Sequence, residues 1–191
     1  PGRKAEDRGA SADLDGDGTV SIFEREAMLT ARYGLACEAA LIEMGHTVIP
    51  ISDGWYSDRH RRVNQYAGTF PAGTPQVYIS LHLNAGGGDY GAVFFDHRSR
   101  GGPELAARIA TQLRMVAPEI NGAKCIAAKP DDWTRAAFGT IGGIMQPLGI
   151  CFEPCFMDKP AHADLLTREG LSAIGRALAS GIDAWASTRE V

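Results

Sequence analysis

"QVYISLHLNA", Gln76 to Ala85, is the stretch whose reading decides the fold. Its residues alternate with period two, which puts Ile79, Leu81 and Leu83 on one face of a strand and Ser80, His82 and Asn84 on the other. His82 and Asn84 fall at the carboxyl end of this apolar strand, where α/β proteins gather their ligands. A lone histidine on a strand is also a common packed core residue, so the rest of the chain has to decide its role.

Outward from this strand, "GAVFFD" (91–96) follows a glycine turn as a second strand, and "KCIAA" (124–128) and "LGICFE" (148–153) read as two more. Upstream, "HTVIPI" (46–51) reads as a strand with Pro50 near its end. Residues 22–44 are good helix formers without proline and stop at Gly45. "YSDRHRRVNQYAG" (56–68) reads as a short basic helix, "GPELAARIATQLRMV" (102–116) is helical by period, and 161–185 carries one or two closing helices. Strands alternating with helices predict an α/β three-layer sandwich: a mixed, mostly parallel sheet of about six strands with helices on both faces.

The chain has 191 residues, 45% hydrophobic and 22% charged, which suits a single domain over 1–191 with a core that needs no staples. A monomer is the expected state. The net charge of −4, with a pI near 5.7 and scattered Lys and Arg, excludes general attraction to nucleic acid. No apolar run is long enough to span a membrane, and no signal peptide is visible in a chain that starts at Pro1. Four irregularly spaced cysteines, Cys37, Cys125, Cys151 and Cys155, read as small buried hydrophobes rather than a disulfide framework.

Ahead of the first helix lies "DLDGDGTVSIFE", 13–24. Acids stand at loop positions one, three and five (Asp13, Asp15, Asp17), with Gly18 at six, Thr19 at seven, Ser21 at nine and Glu24 at twelve. This is the EF-hand calcium pattern: short carboxylates face inward, glycine permits the bend, the Thr19 carbonyl points in and Glu24 closes bidentately. The other reading is a solvated surface turn. Pro1, Gly2 and Gly9 deny the loop an entering helix, and no second loop exists, so a lone structural clamp fits better than a paired sensor.

Glu26 cannot share that ion, because helix residues two apart point about 200° away from each other. Leu29, Tyr33, Cys37, Ala40, Leu41 and Met44 cluster around its direction, so Glu26 heads the broadest apolar face. A carboxylate aimed at a core needs a cation or hydrogen bonds to meet it. A salt bridge or a frayed helix start would also explain it. Glu153 ends the strand 148–153 and is followed by Pro154, which brings a second carboxylate to the edge that carries His82.

With Glu26, His82 and Glu153 converging, the chain resembles the zinc-dependent N-acetylmuramoyl-L-alanine amidases, the cell-wall hydrolases that include phage endolysin domains. Ser80-Leu81-His82-Leu83-Asn84-Ala85 resembles the family's Ser-Ile-His-Ala-Asn-Ala, and Phe152-Glu153-Pro154-Cys155-Phe156 its Val-Glu-x-Gly-Phe. Arg59 ahead of Val63-Asn64 is similar to a family arginine, and the register from Glu26 to Gly45 matches the family's metal-binding glutamate. The resemblance implies that Glu26 and His82 ligate zinc and that Glu153 is the catalytic carboxylate; Asn84 reads as a support for His82, a substrate contact or a purely structural residue. It implies peptidoglycan as substrate and action at the bacterial cell wall, extracellular or periplasmic. One departure stands out: the family's first zinc ligand is a histidine ahead of a segment that "EDRGA" (6–10) resembles, and here only "PGRKA" precedes it. That histidine is expected upstream of Pro1, or is lost; His46, His60, His97 and His162 read as surface or packing residues. Another zinc peptidase of the stem peptide, and a calcium-binding module without catalytic metal, remain as competing functions.

Overall fold

The computed structural model describes residues 13, 14, 18, 19, 21 and 25–189. Five α-helices and four strands follow in the order α1 (Glu26–Glu43), α2 (Tyr56–Ala67), β1 (Val77–Leu81), β2 (Gly91–Asp96), α3 (Gly102–Val116), β3 (Ala123–Ala128), α4 (Arg135–Ile141), β4 (Leu148–Glu153) and α5 (Arg168–Ala186). The strands form one sheet in the order β1-β4-β2-β3. β1 runs parallel to β4 and β2 to β3, while β4 and β2 are antiparallel, so the sheet is mixed, as expected.

Among the described residues the sheet has four strands rather than about six. "HTVIPI" forms no strand, although Val48 packs against the core. Pro50 has no N–H to donate to a ladder, and burial of Val48 alone does not require one. The short helix α4 was not legible in the sequence: seven residues are too few for propensity to decide, and it is packing of Ala137 and Ile141 on Phe94 and Cys151 that holds it.

Alternate strand residues feed two clusters. Val93, Ile150 and Phe152 join Leu29, Tyr33, Ile109, Leu113, Ile174 and Leu178 of α1, α3 and α5 in the main core. Ala92, Phe94 and Cys151, which point to the opposite face, pack with α4. Two glycines let the main helices close up: a Cβ on Gly175 of α5 would lie 2.3 Å from the Tyr33 carbonyl oxygen, and one on Gly181 2.6 Å from the Ile109 Cα. Gly175→Ala should therefore cost about 1–3 kcal/mol through overpacking. Gly139→Ala in α4, where a Cβ meets nothing within 4 Å, should be neutral or slightly stabilising. Chemical denaturation of both variants checks the contrast, and equal midpoints would refute it.

Candidate active site

The helix face expected from the sequence is the one that is buried: Glu26, Leu29, Tyr33, Cys37, Ala40 and Leu41 all point inward. Met44 does not; it is the C-cap, already beyond the last turn, and is exposed. Glu26 is the first residue of α1, after Arg25 in extended conformation, and is 9% exposed. Its helix is fastened to the histidine strand by the Tyr33 hydroxyl, which donates to the His82 carbonyl at 2.8 Å, and to β4 by the Tyr33 ring edge-on to Phe152. Glu26 therefore meets the end of β1 from a fixed direction.

His82 is the first residue past β1, and its N–H donates to the Phe152 carbonyl of β4. Its ring nitrogen Nδ1 lies 2.9 Å from Glu26 Oε1, and the Leu83 N–H donates to the same oxygen at 3.2 Å. On the far side of the ring, Nε2 lies 3.1 Å from Ser80 Oγ and 3.5 Å from the Tyr56 hydroxyl. A carboxylate can only accept, so Nδ1 carries the proton here and the two hydroxyls donate to Nε2.

Glu153 closes β4 beside this pair. The Asn84 side-chain amide donates to Glu153 Oε2 at 2.7 Å, and the Cys151 thiol donates to Oε1 at 3.9 Å. The orientation of Asn84 is determined: its own Oδ1 accepts from the Ala85 N–H at 2.9 Å, which leaves the NH₂ for Glu153. Its backbone is held as well, by an isolated parallel bridge to Phe156 and by N–H bonds with Cys155 and Met157. Burial, the largest influence, raises the Glu153 carboxyl above the ordinary range, and the Glu26 charge adds to it; His82 and the Cys151 contact oppose.

Of the residues singled out from sequence, Glu26, His82, Glu153 and Asn84 come together. Asn84 contacts Glu153 rather than His82. Ser80, Tyr56 and Cys151 are additions: strand alternation already put Ser80 on the His82 face, whereas nothing local marks Tyr56 or Cys151. The other histidines are engaged elsewhere, His46 with Asp183 at 2.9 Å, His60 with the Thr140 carbonyl, His97 with the Ala128 carbonyl and His162 with the Phe156 backbone. No disulfide forms; Cys37, Cys151 and Cys155 are buried and Cys125 is exposed. Burial pushes the Cys155 thiol up to about 12 and raises that of Cys151 further, so neither is a thiolate near neutrality.

In the calcium-like loop, Gly18 has φ +85° and its N–H donates to Asp13 Oδ2 at 2.9 Å, the sharp bend its position calls for. Thr19 and Ser21 are exposed; Asp15, Asp17 and Glu24 lie outside the described residues.

The donors fit zinc in kind and spacing. A carboxylate oxygen and an imidazole nitrogen 2.9 Å apart can share one ion at bond lengths of about 2.0–2.2 Å. Ser80 and Tyr56 behind the ring are placed where the outer partners of a ligating histidine would stand. Among the described residues no group of three or more His, Cys, Asp or Glu is placed to hold a metal.

No protein-family model matches the sequence, and no curated protein matches it either. Solved structures do share its fold. Cwp6 from Clostridium difficile superposes with a TM-score of 0.69 at 19% identity over 96% of this chain; the chain spans 28% of that protein. N-acetylmuramoyl-L-alanine amidase from Clostridium difficile 630 gives 0.68 at 16% identity, covering 98% of this chain and 92% of that one. The CwlD amidase from Clostridioides difficile, solved in complex with the GerS lipoprotein, gives 0.64 at 17% identity, covering 90% and 92%. The chain thus has the fold of solved N-acetylmuramoyl-L-alanine amidases, and sets a buried carboxylate, an imidazole and a half-buried glutamate together at the carboxyl end of its parallel strand pair.

Proposed function

We propose that the protein is a zinc-dependent hydrolase of the amide bond between N-acetylmuramic acid and L-alanine in peptidoglycan, acting at the bacterial cell wall. The observation that carries this reading is the approach of Glu26 Oε1 to His82 Nδ1 beside the half-buried Glu153, in a fold shared with cell-wall amidases. Glu26 and His82 would hold the metal, with a third donor supplied from outside the described residues.

Zinc, when bound, polarises the scissile carbonyl and acidifies an attacking water. The chain supplies the proton handling. Glu153, with Oε2 pinned by Asn84, presents Oε1 to accept the proton of the attacking water and then returns it to the departing amine of L-alanine. Its raised proton affinity suits both halves of that exchange, since an ordinary carboxylate is a poorer donor to an amine near neutrality. With Nδ1 given to the metal, His82 would carry its proton on Nε2, within reach of the Ser80 and Tyr56 oxygens as acceptors. Ser80→Ala should accordingly lower zinc affinity about 10–100-fold with the fold intact. A competition titration against a chelating indicator measures it; unchanged affinity would show that Ser80 does not orient the ligand.

Asp13, Asp15, Asp17, Thr19, Ser21 and Glu24 are proposed to bind calcium, fixing the start of the helix that presents Glu26. Selective calcium removal should lower both the melting temperature and zinc affinity, and a loop with no such role would leave both unchanged. The function itself is tested by digesting purified peptidoglycan. New amino-terminal L-alanine, lost on chelation and restored by zinc, is the expected product; termini from within the stem peptide would instead make the protein a peptidase. Absence of both bound zinc and wall cleavage would support a binding module.

A further inference from the structure

The sheet register sets a cation in line with Glu153. Ala92 of β2 partners Glu153 of β4 on one side and Lys124 of β3 on the other. Laterally paired residues leave the sheet on the same face, so Glu153, Ala92 and Lys124 form one row. Two strand spacings put the Lys124 backbone about 10 Å from that of Glu153. Ala92 between them is fully buried, so a ligand that joins the two charged side chains passes over the residues that cover it.

Lys124 is exposed, and its ammonium rests 3.4 Å from the centre of the Tyr90 ring. Tyr90 in turn packs edge-on to Phe156 at 5.1 Å, and Phe156 is the residue whose backbone is bridged to Asn84, the partner of Glu153. The cation therefore sits on a platform tied to the catalytic carboxylate. None of the ion pairs formed among the described residues involves Lys124. An ammonium on an aromatic face still has N–H donors for an anion.

We propose that Lys124, seated on Tyr90, receives a carboxylate of the substrate's stem peptide, on the L-alanine side of the scissile bond. This rests on the amidase reading. An extended chain advances about 3.3–3.6 Å per residue, so a separation of about 10 Å corresponds to roughly the third residue of the leaving peptide. Stem peptides carry free carboxylates beyond their first residue unless these are amidated. Lys124 would thus set the direction in which the peptide leaves Glu153, and would discriminate free from amidated stems.

The test uses the full-length zinc-loaded protein and two soluble muramoyl-peptides that differ only in carboxylate or carboxamide on the stem, at low salt. On the carboxylate substrate, Lys124→Ala should raise KM about 3- to 5-fold with kcat unchanged, and Lys124→Glu should raise it further. Lys124→Arg should stay close to the parent. On the carboxamide substrate all four proteins should behave alike. A parallel titration with the released stem peptide reads binding without turnover, and there the same ordering is expected. If the parent cleaves neither substrate, the amidase reading fails. If the parent cleaves them but Lys124→Ala changes neither KM, or changes both equally, the carboxylate site is refuted.

Discussion

Glu153→Gln is expected to reduce turnover by about 10²–10⁴-fold while zinc stays bound. The substitution keeps the side chain's shape, and the Gln amide oxygen can still accept from Asn84 Nδ2 where Oε2 does now, at 2.7 Å. What it removes is the capacity to take up and return a proton. Removing a buried carboxylate also lifts a desolvation penalty, since burial raises the Glu153 carboxyl. The sign follows: a carboxyl raised in the folded state favours folding below its unfolded value and opposes it once pH passes the folded one. The variant should therefore melt no lower than the parent above that range. Steady-state kinetics on a soluble muramoyl-peptide, with zinc content measured on the same samples, decides the matter. Full turnover in a zinc-loaded Glu153→Gln protein would remove Glu153 from the mechanism.

The second large effect concerns Glu26. Glu26→Gln leaves a carbonyl oxygen to accept from the Leu83 N–H, as Oε1 does now at 3.2 Å, so the end of β1 should remain in place. A neutral amide is a poor zinc donor, however, and a direct ligand should matter more than the outer-shell groups, whose loss costs about 10–100-fold. Zinc affinity should fall by more than that, and hydrolysis with it. If Glu26→Gln binds zinc as the parent does, the carboxylate is only a hydrogen-bond partner for His82.

The contrast between these residues and their neighbours shows what a sequence reveals. Glu26 was legible because a helix has a fixed period: six apolar residues point where it points, and five of them are buried with it, Met44 alone escaping beyond the last turn. Ser80, His82 and Asn84 were placed on one face by strand alternation, and Glu153 by the proline behind it. The partners of these groups were not legible. Tyr56 reaches His82 across 26 residues of chain, and Asn84 reaches Glu153 across 69. The first depends on where α2 docks and the second on how β1 and β4 pair, and both are tertiary outcomes. The row that links Glu153 to Lys124 needs a second pairing, β2 with β3, and is further still from local rules. "HTVIPI" fails for the opposite reason: its composition suits a strand, but a ladder also needs donors, and Pro50 lacks one.

The most direct test of the metal centre is the zinc K-edge absorption spectrum of the full-length protein loaded with one equivalent of zinc. If Glu26 and His82 hold the ion, the first shell will contain only nitrogen and oxygen at about 2.0–2.2 Å, with the outer-ring signature of imidazole, and Glu26→Gln will abolish stoichiometric loading. A sulfur shell near about 2.3 Å, or full loading of that variant, would place the zinc elsewhere and contradict the site.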